Sequence, residues 1–197
     1  MPSTLDLAMI WLRRAEGVVD HAEPGDPGGE TYTGISRATW PAWSGWPILD
    51  RWHGEVMPSD IRQQVDSLVD CFYISTYWTP RSLGNFPAKS GVVLLDTMVQ
   101  HGRGVQIIQA CLNMHYHLAL SVDNRWGPAT YGAVFGLACQ PRPAEAALIE
   151  TILNAREATY RGLAAHGQAQ DLTGWLNRLT NLRAYLDTLG ASTCAAL

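Results

Sequence analysis

Apolar residues recur along this chain mostly at helical spacing, and polar or Gly/Pro interruptions mark where each helix ends. Leu5, Met9, Leu12 and Glu16 fall at i, i+4, i+7 and i+11, one face of a helix that Ser3 or Thr4 caps and Gly17 stops. Val18 to Ile35 reads as a Gly/Pro-rich loop ending in a short β-branched segment. Ser36 opens a helical turn that Pro41 ends. Trp40 to Trp52 is rich in Trp, Pro and Gly without periodicity, and reads as an irregular loop on the rim of a cleft; a loop merely pinned by its tryptophans fits the same residues. Pro58 and Ser59 start a second helix with Ile61, Val65, Leu68 and Phe72 as its buried stripe, finished by Tyr73 to Trp78. Pro80 to Pro87 is a connector. The spacing then predicts helices over Val92 to Gly102, Val105 to Asn113, Thr130 to Leu137 and Ala144 to about Ala165. A last helix is marked by Leu172, Leu179, Leu182, Leu186 and Leu189. The predicted fold class is mainly α, of α+β type, with no internal repeat and no clean linker.

Two carboxylates break this pattern. Glu16 lies on the apolar face of the first helix, at its last turn. Desolvation and the negative end of the helix dipole both disfavour its ionised form there, which suits a general acid; a solvated helix-end glutamate is the plainer reading. Asp96 lies inside the most apolar helix, and a carboxylate in such a run needs partners, which favours a structural hydrogen-bonded residue over a catalytic one.

Composition narrows the class. The chain has 197 residues, enough for one domain or two small ones, with 16% charged residues and a formal net charge of −4. A mild negative charge argues against nucleic-acid binding and gives no general pull toward any anionic surface, so binding to one must come from a shaped site. Eight tryptophans can serve as sugar-stacking faces or as core. The four cysteines, Cys71, Cys111, Cys139 and Cys194, are scattered with no Cys-x-x-Cys pair; Cys71 and Cys111 lie in helical apolar contexts, and the cysteines read as free and reduced, with a disulfide the less favoured reading. Arg13 and Arg14 interrupt the only candidate apolar leader, and no segment suffices to cross a membrane, so synthesis in the cytoplasm is expected. His115 and His117 have no evident third ligand, so neither a metal nor a cofactor is expected.

The loop after Glu16 sharpens the chemistry. In Asp26-Pro27-Gly28-Gly29 the proline fixes one φ and glycine supplies a positive one, so a tight turn can carry Asp26 and Thr31 back over the helix end. A proton donor, a second carboxylate and a hydroxyl would then converge, as glycoside hydrolysis requires. A purely structural turn, with Asp26 bonded to its own backbone, fits the same residues.

Glu16-Gly17, then Asp26-Pro27-Gly28-Gly29-Glu30-Thr31, then Gly34-Ile35 resemble the signature of the glycoside hydrolase family 108 muramidases. These are phage endolysins and related secretion activators, usually followed by a peptidoglycan-binding domain. The resemblance continues in order through Tyr77-Trp78, Leu95-Asp96, His101-Gly102, Gln109-Ala110-Cys111-Leu112-Asn113, Asp123-Asn124-Arg125-Trp126-Gly127-Pro128 and Gly174-Trp175-Leu176-Asn177-Arg178. Two departures stand: Val18 replaces the usual second glycine, and Tyr32-Thr33-Gly34-Ile35 the usual Asn-Tyr-Gly-Ile.

The resemblance implies a lysozyme-like, two-lobed globule with a small β element beside the cleft. It implies a catalytic region at 1–100, a helical peptidoglycan-binding-like region at 101–190 packed on it, and a tail at 191–197. It implies cleavage of the β-1,4 bond between N-acetylmuramic acid and N-acetylglucosamine, with Glu16 as acid, Asp26 as second carboxylate and Thr31 or Thr33 as water holder. Tyr32, Thr33, Trp78, His101, Trp126 and Arg178 are the implied substrate contacts. Family 24 phage lysozymes carry a comparable Arg-bearing helix, and by that likeness Arg178 reaches toward Glu16. The implied partners are peptidoglycan glycan strands and, for delivery to the wall, a holin; the protein is expected to be a monomer. A lytic transglycosylase, or a non-catalytic wall-binding copy of the family, are the alternatives.

Overall fold

Helix α1 (Thr4–Glu16) starts at a reciprocal cap: the Ser3 amide and hydroxyl both donate to Asp6 Oδ2 at 2.8 Å, and the Asp6 amide donates to Ser3 Oγ at 3.1 Å. The computed structural model describes residues 2–16, 20–21, 30–52, 56–140 and 143–190. Asp26 and its Asp-Pro-Gly-Gly turn, Val18, Cys194 and the tail at 191–197 lie outside the described residues. The fold is mainly α with one small antiparallel sheet, as the periodicity predicts. The chain divides into two compact units, Leu12–Pro80 and Met1–Trp11 with Arg81–Leu197. The boundary falls inside α1.

In the Leu12–Pro80 unit, β1 (Asp20–His21), β2 (Thr31–Tyr32) and β3 (Ile35–Ser36) form the sheet in that order, with Tyr32 opposite Asp20 on one side and Ile35 on the other. Ser36 ends β3 and also opens the expected helical turn, its carbonyl accepting from the Trp40 amide at 2.8 Å. The link between β2 and β3 is only Thr33-Gly34, with φ values of 42° and 80°. Positive φ at both positions is the signature of a type I′ hairpin, whose twist matches that of its strands. The segment expected to be an irregular loop contains a short helix, α2 (Trp46–Leu49), because Trp43 and Trp46 are buried at 8% and 2% exposure and pull the chain inward. Arg37 pins the hairpin to this helix: it pairs with Glu30 at 2.6 Å and Asp50 at 2.5 Å, and lies 4.4 Å over the Trp46 ring.

Helix α3 (Ser59–Tyr73) buries Val65, Val69 and Tyr73, one position round from the expected stripe. Ile61, Leu68 and Phe72 are only half-buried, and Phe72 stands edge-on to Trp40 at 5.0 Å. Both stripes are apolar at i, i+4 spacing, so periodicity alone cannot choose between two faces about 100° apart. Beyond Tyr73 the backbone loosens into a π turn, Ile74–Trp78, and then a 3₁₀ turn, Thr79–Arg81. Such π turns recur at functional sites.

The other unit is built on α4 (Ala88–Gln100), which begins four residues earlier than the spacing suggests and is buried on nearly every side. A helix apolar all round belongs at the centre. Around it lie α5 (Gly104–Tyr116), α6 (Pro128–Ala138), α7 (Ala144–Leu163) and α8 (Leu172–Thr188). Asp96 is fully buried, and its Oδ1 accepts from the Trp11 indole and the Arg178 guanidinium, each at 2.7 Å, while Oδ2 faces Arg156 at 2.7 Å. This is the structural role that burial predicts for it. Desolvation pushes its carboxyl up, but the two guanidinium groups outweigh that and hold it below the usual carboxylate range. Cys71 and Cys111 are free, as expected, whereas Cys139 is disulfide-bonded, against the favoured reading of the cysteines as free and reduced.

Candidate active site

The arrangement around Glu16 starts with the hairpin. A type I′ turn needs left-handed backbone at two successive residues; Gly34 adopts it at no cost, while Thr33 is strained there. The strain is held by Tyr73, whose hydroxyl donates to the Thr33 carbonyl at 2.8 Å from the buried face of α3. Thr33 is 9% exposed, and its Oγ1 is buried with no hydrogen-bond partner among the described residues. A buried hydroxyl left unsatisfied on a strained backbone is costly, and such features gather at working sites.

Glu16 ends α1 and is half-buried, and its carboxylate lies against this hairpin. A β-carbon at Gly34 would stand 2.6 Å from Glu16 Oε2 and 2.6 Å from the Tyr73 hydroxyl oxygen. The absence of a side chain at Gly34 is therefore what admits both groups to one spot. Gly34 is itself solvent-exposed, so the carboxyl sits beside an accessible stretch of backbone. The Tyr73 proton is committed to the Thr33 carbonyl, so its oxygen can only accept from any further neighbour.

Of the other expected residues, Thr31 lies in β2, half-buried, and Tyr32 is buried with its ring stacked 6.1 Å from Trp43. Trp78 closes the π turn and is buried at 6% exposure, so its ring is core. The Leu12–Pro80 unit thus brings Glu16, Thr33 and Gly34 together, and adds Tyr73, which the sequence reading placed only in the tail of a helix. His101, Trp126 and Arg178 belong to the other unit. Arg178 serves Asp96, the Trp126 indole donates to the Arg81 carbonyl at 3.2 Å, and His101 stacks on Tyr160 at 4.9 Å. Burial, with Arg156 nearby, pushes the His101 imidazole down to about 4. Among the described residues no cluster of three or more His, Cys, Asp or Glu side chains could hold a metal.

The Gln109–Asn113 and Asp123–Pro128 motifs hold each other together. The Gln109 amide donates to Asp123 Oδ1 and Thr130 Oγ1, each at 3.0 Å, and accepts from the Asp123 and Asn124 amides at 3.1 and 3.0 Å. Asn113 makes two 2.8 Å bonds to the Leu120 backbone. Gln109 thus ties the Asp123–Pro128 turn to α5, and Asn113 holds the segment before it.

Residues 9–102 match the family model for glycosyl hydrolase 108, and residues 103–180 match one described as a predicted peptidoglycan domain. None of the curated proteins compared with the chain matches it. A glycoside hydrolase region joined to a peptidoglycan-binding region defines a peptidoglycan hydrolase, a protein that acts on the bacterial cell wall. Residues 9–102 are thus a glycosyl hydrolase 108 region, and the region that follows makes peptidoglycan its partner. No helix of the described residues is long and apolar enough to cross a membrane.

Proposed function

We propose that this peptidoglycan hydrolase is an N-acetylmuramidase of the lysozyme type, cleaving the β-1,4 bond between N-acetylmuramic acid and N-acetylglucosamine, with Glu16 as its general acid. The observation that carries the reading is the packing of the Glu16 carboxylate against a side-chain-free hairpin and a buried tyrosine hydroxyl. A proton donor must be held in one place while one side of it stays open to the substrate. Glu16 protonates the leaving glycosidic oxygen as the C1–O bond breaks and oxocarbenium character develops at the sugar. Water completes the hydrolysis; Thr33 Oγ1, a buried hydroxyl with spare bonding capacity, is suited to hold it, and Thr31 stands two residues before it in β2. Asp26 is the expected second carboxylate. In the organism the role is that of a phage-type endolysin, made in the cytoplasm and released to the wall through a holin.

The test is lysis of outer-membrane-permeabilised Gram-negative cells, followed by turbidity. Glu16→Gln abolishes lysis with an unchanged circular dichroism spectrum and unchanged melting temperature. Near-wild-type lysis by that variant removes Glu16 from the mechanism. Mass spectrometry of the digest shows reducing N-acetylmuramic acid ends; 1,6-anhydro ends would make the enzyme a lytic transglycosylase instead.

A further inference from the structure

Between α5 and α7 runs a groove of about 840 Å³, within the range of ligand-sized clefts. It lies wholly in the unit that carries the peptidoglycan-domain match. Arg103, at the N-cap of α5, and Gln106, Ile107, Ala110 and Met114 on its successive turns line one side, while α7 faces them with Asn154, Ala155 and Ala158. The small side chains of Ala110, Ala155 and Ala158 leave the space that the groove occupies. Half of the exposed large apolar side chains among the described residues sit on this groove: Met114 at 71% exposure, Val122 at 44% and Leu163 at 37%, against Ile10, Trp40 and Val56 elsewhere. Apolar groups gathered this way mark a contact surface.

Two features of the lining discriminate between the parts of peptidoglycan. No Trp, Tyr or Phe lines the groove among the described residues, so it offers no aromatic platform for a sugar ring. Nor does any Asp or Glu line it, whereas Arg103 and His115 do, and neither makes an ion pair or side-chain hydrogen bond among the described residues. Asn154 accepts from Arg183 through its oxygen at 3.0 Å, which leaves its two N–H groups to donate. A protein of formal net charge −4 has here a surface of unused donors without an acceptor acid. The ligand that complements it is short, anionic and aliphatic.

We propose that this groove binds the peptide stem of peptidoglycan, whose alanine methyl groups suit the Ala-lined floor and whose free carboxylates suit Arg103 and Asn154. The proposal rests on the chain acting on peptidoglycan and assigns the stem, in place of the glycan strand, to the α5–α7 groove. Calorimetric titration of the full chain with synthetic L-alanyl-γ-D-glutamyl-meso-diaminopimelyl-D-alanine tests it, with stem-free glycan chains as the second ligand. Ala158 and Arg103 are exposed, so Ala158→Trp and Arg103→Glu fill or recharge the groove without disturbing the core. The wild type binds the stem peptide saturably; both variants bind it at least tenfold more weakly, at an unchanged melting temperature, and cleave stem-free glycan at the wild-type rate. Absence of saturable stem binding by the wild type, or equal binding by Ala158→Trp, overturns the proposal. So does a loss of glycan affinity in the variants, which would make the groove a sugar site. A wild type that cleaves whole walls yet ignores the stem refutes the groove alone; one that cleaves no wall refutes the reading on which it rests.

Discussion

Gly34→Ala is the substitution that best isolates the geometry of the proposed site. The new β-carbon would meet Glu16 Oε2 and the Tyr73 hydroxyl at 2.6 Å each, where ordinary contact begins at 3.4 Å, so the neighbours yield by roughly 0.8 Å. Tyr73 is held by its bond to Thr33 and by burial at 2% exposure, and the hairpin is fixed by its strands. The half-buried Glu16 side chain is the group that gives way. A displacement near 1 Å of a reacting group costs about 10²-fold in rate. The left-handed backbone at φ 80° adds a stability cost of about 1–2 kcal/mol for a residue with a β-carbon. The expected result is a lytic rate reduced by about 10²-fold with a melting temperature lowered by several degrees. Gly132→Ala serves as control: its β-carbon meets nothing within 4 Å inside α6, so stability rises by about 0.5–1 kcal/mol and lysis is unchanged. If Gly34→Ala lyses cells at the wild-type rate, the contact between hairpin and Glu16 has no part in catalysis, and the case for Glu16 loses its structural support.

Two further outcomes follow from the other unit. Asp96→Asn removes the anion that faces both the fully buried Arg156 and the largely buried Arg178, and should destabilise the fold by about 3–5 kcal/mol in chemical denaturation; a loss below 1 kcal/mol would show that solvent reaches the cluster. His101 takes up its proton near 6.5 when unfolded but only at about 4 when folded, so between those values the unfolded chain binds more protons. Stability is therefore full above about pH 6.5 and declines as pH falls toward 4; the lowered Asp96 carboxyl adds its own loss only at more acid pH. Melting temperatures from pH 7.5 to 4.5 should fall for the wild type and fall less for His101→Gln, and identical slopes would exclude His101 as the group responsible.

Much of this architecture was legible in the residues themselves. Helical spacing located the long helices, Ser3 or Thr4 marked the first cap, and an aspartate in the most apolar helix announced buried partners, because these features depend on local periodicity and on the cost of burying charge. The ordered motifs brought the family into view, and Gly34 stood within them. What neighbours in space decided was different in kind. Whether α3 buries Phe72 or Tyr73 depends on which face the aromatic cluster of Tyr32, Trp43 and Trp46 accepts, and both faces are equally apolar in sequence. That rotation places Tyr73 under the hairpin, and the hairpin's left-handed turn then lays a bare glycine against Glu16. The partners of Asp96 lie 60 to 85 residues away, at Arg156, Arg178 and Trp11, a distance across which no periodicity carries information. The α5–α7 groove arises the same way, from small residues on two helices that only packing sets face to face.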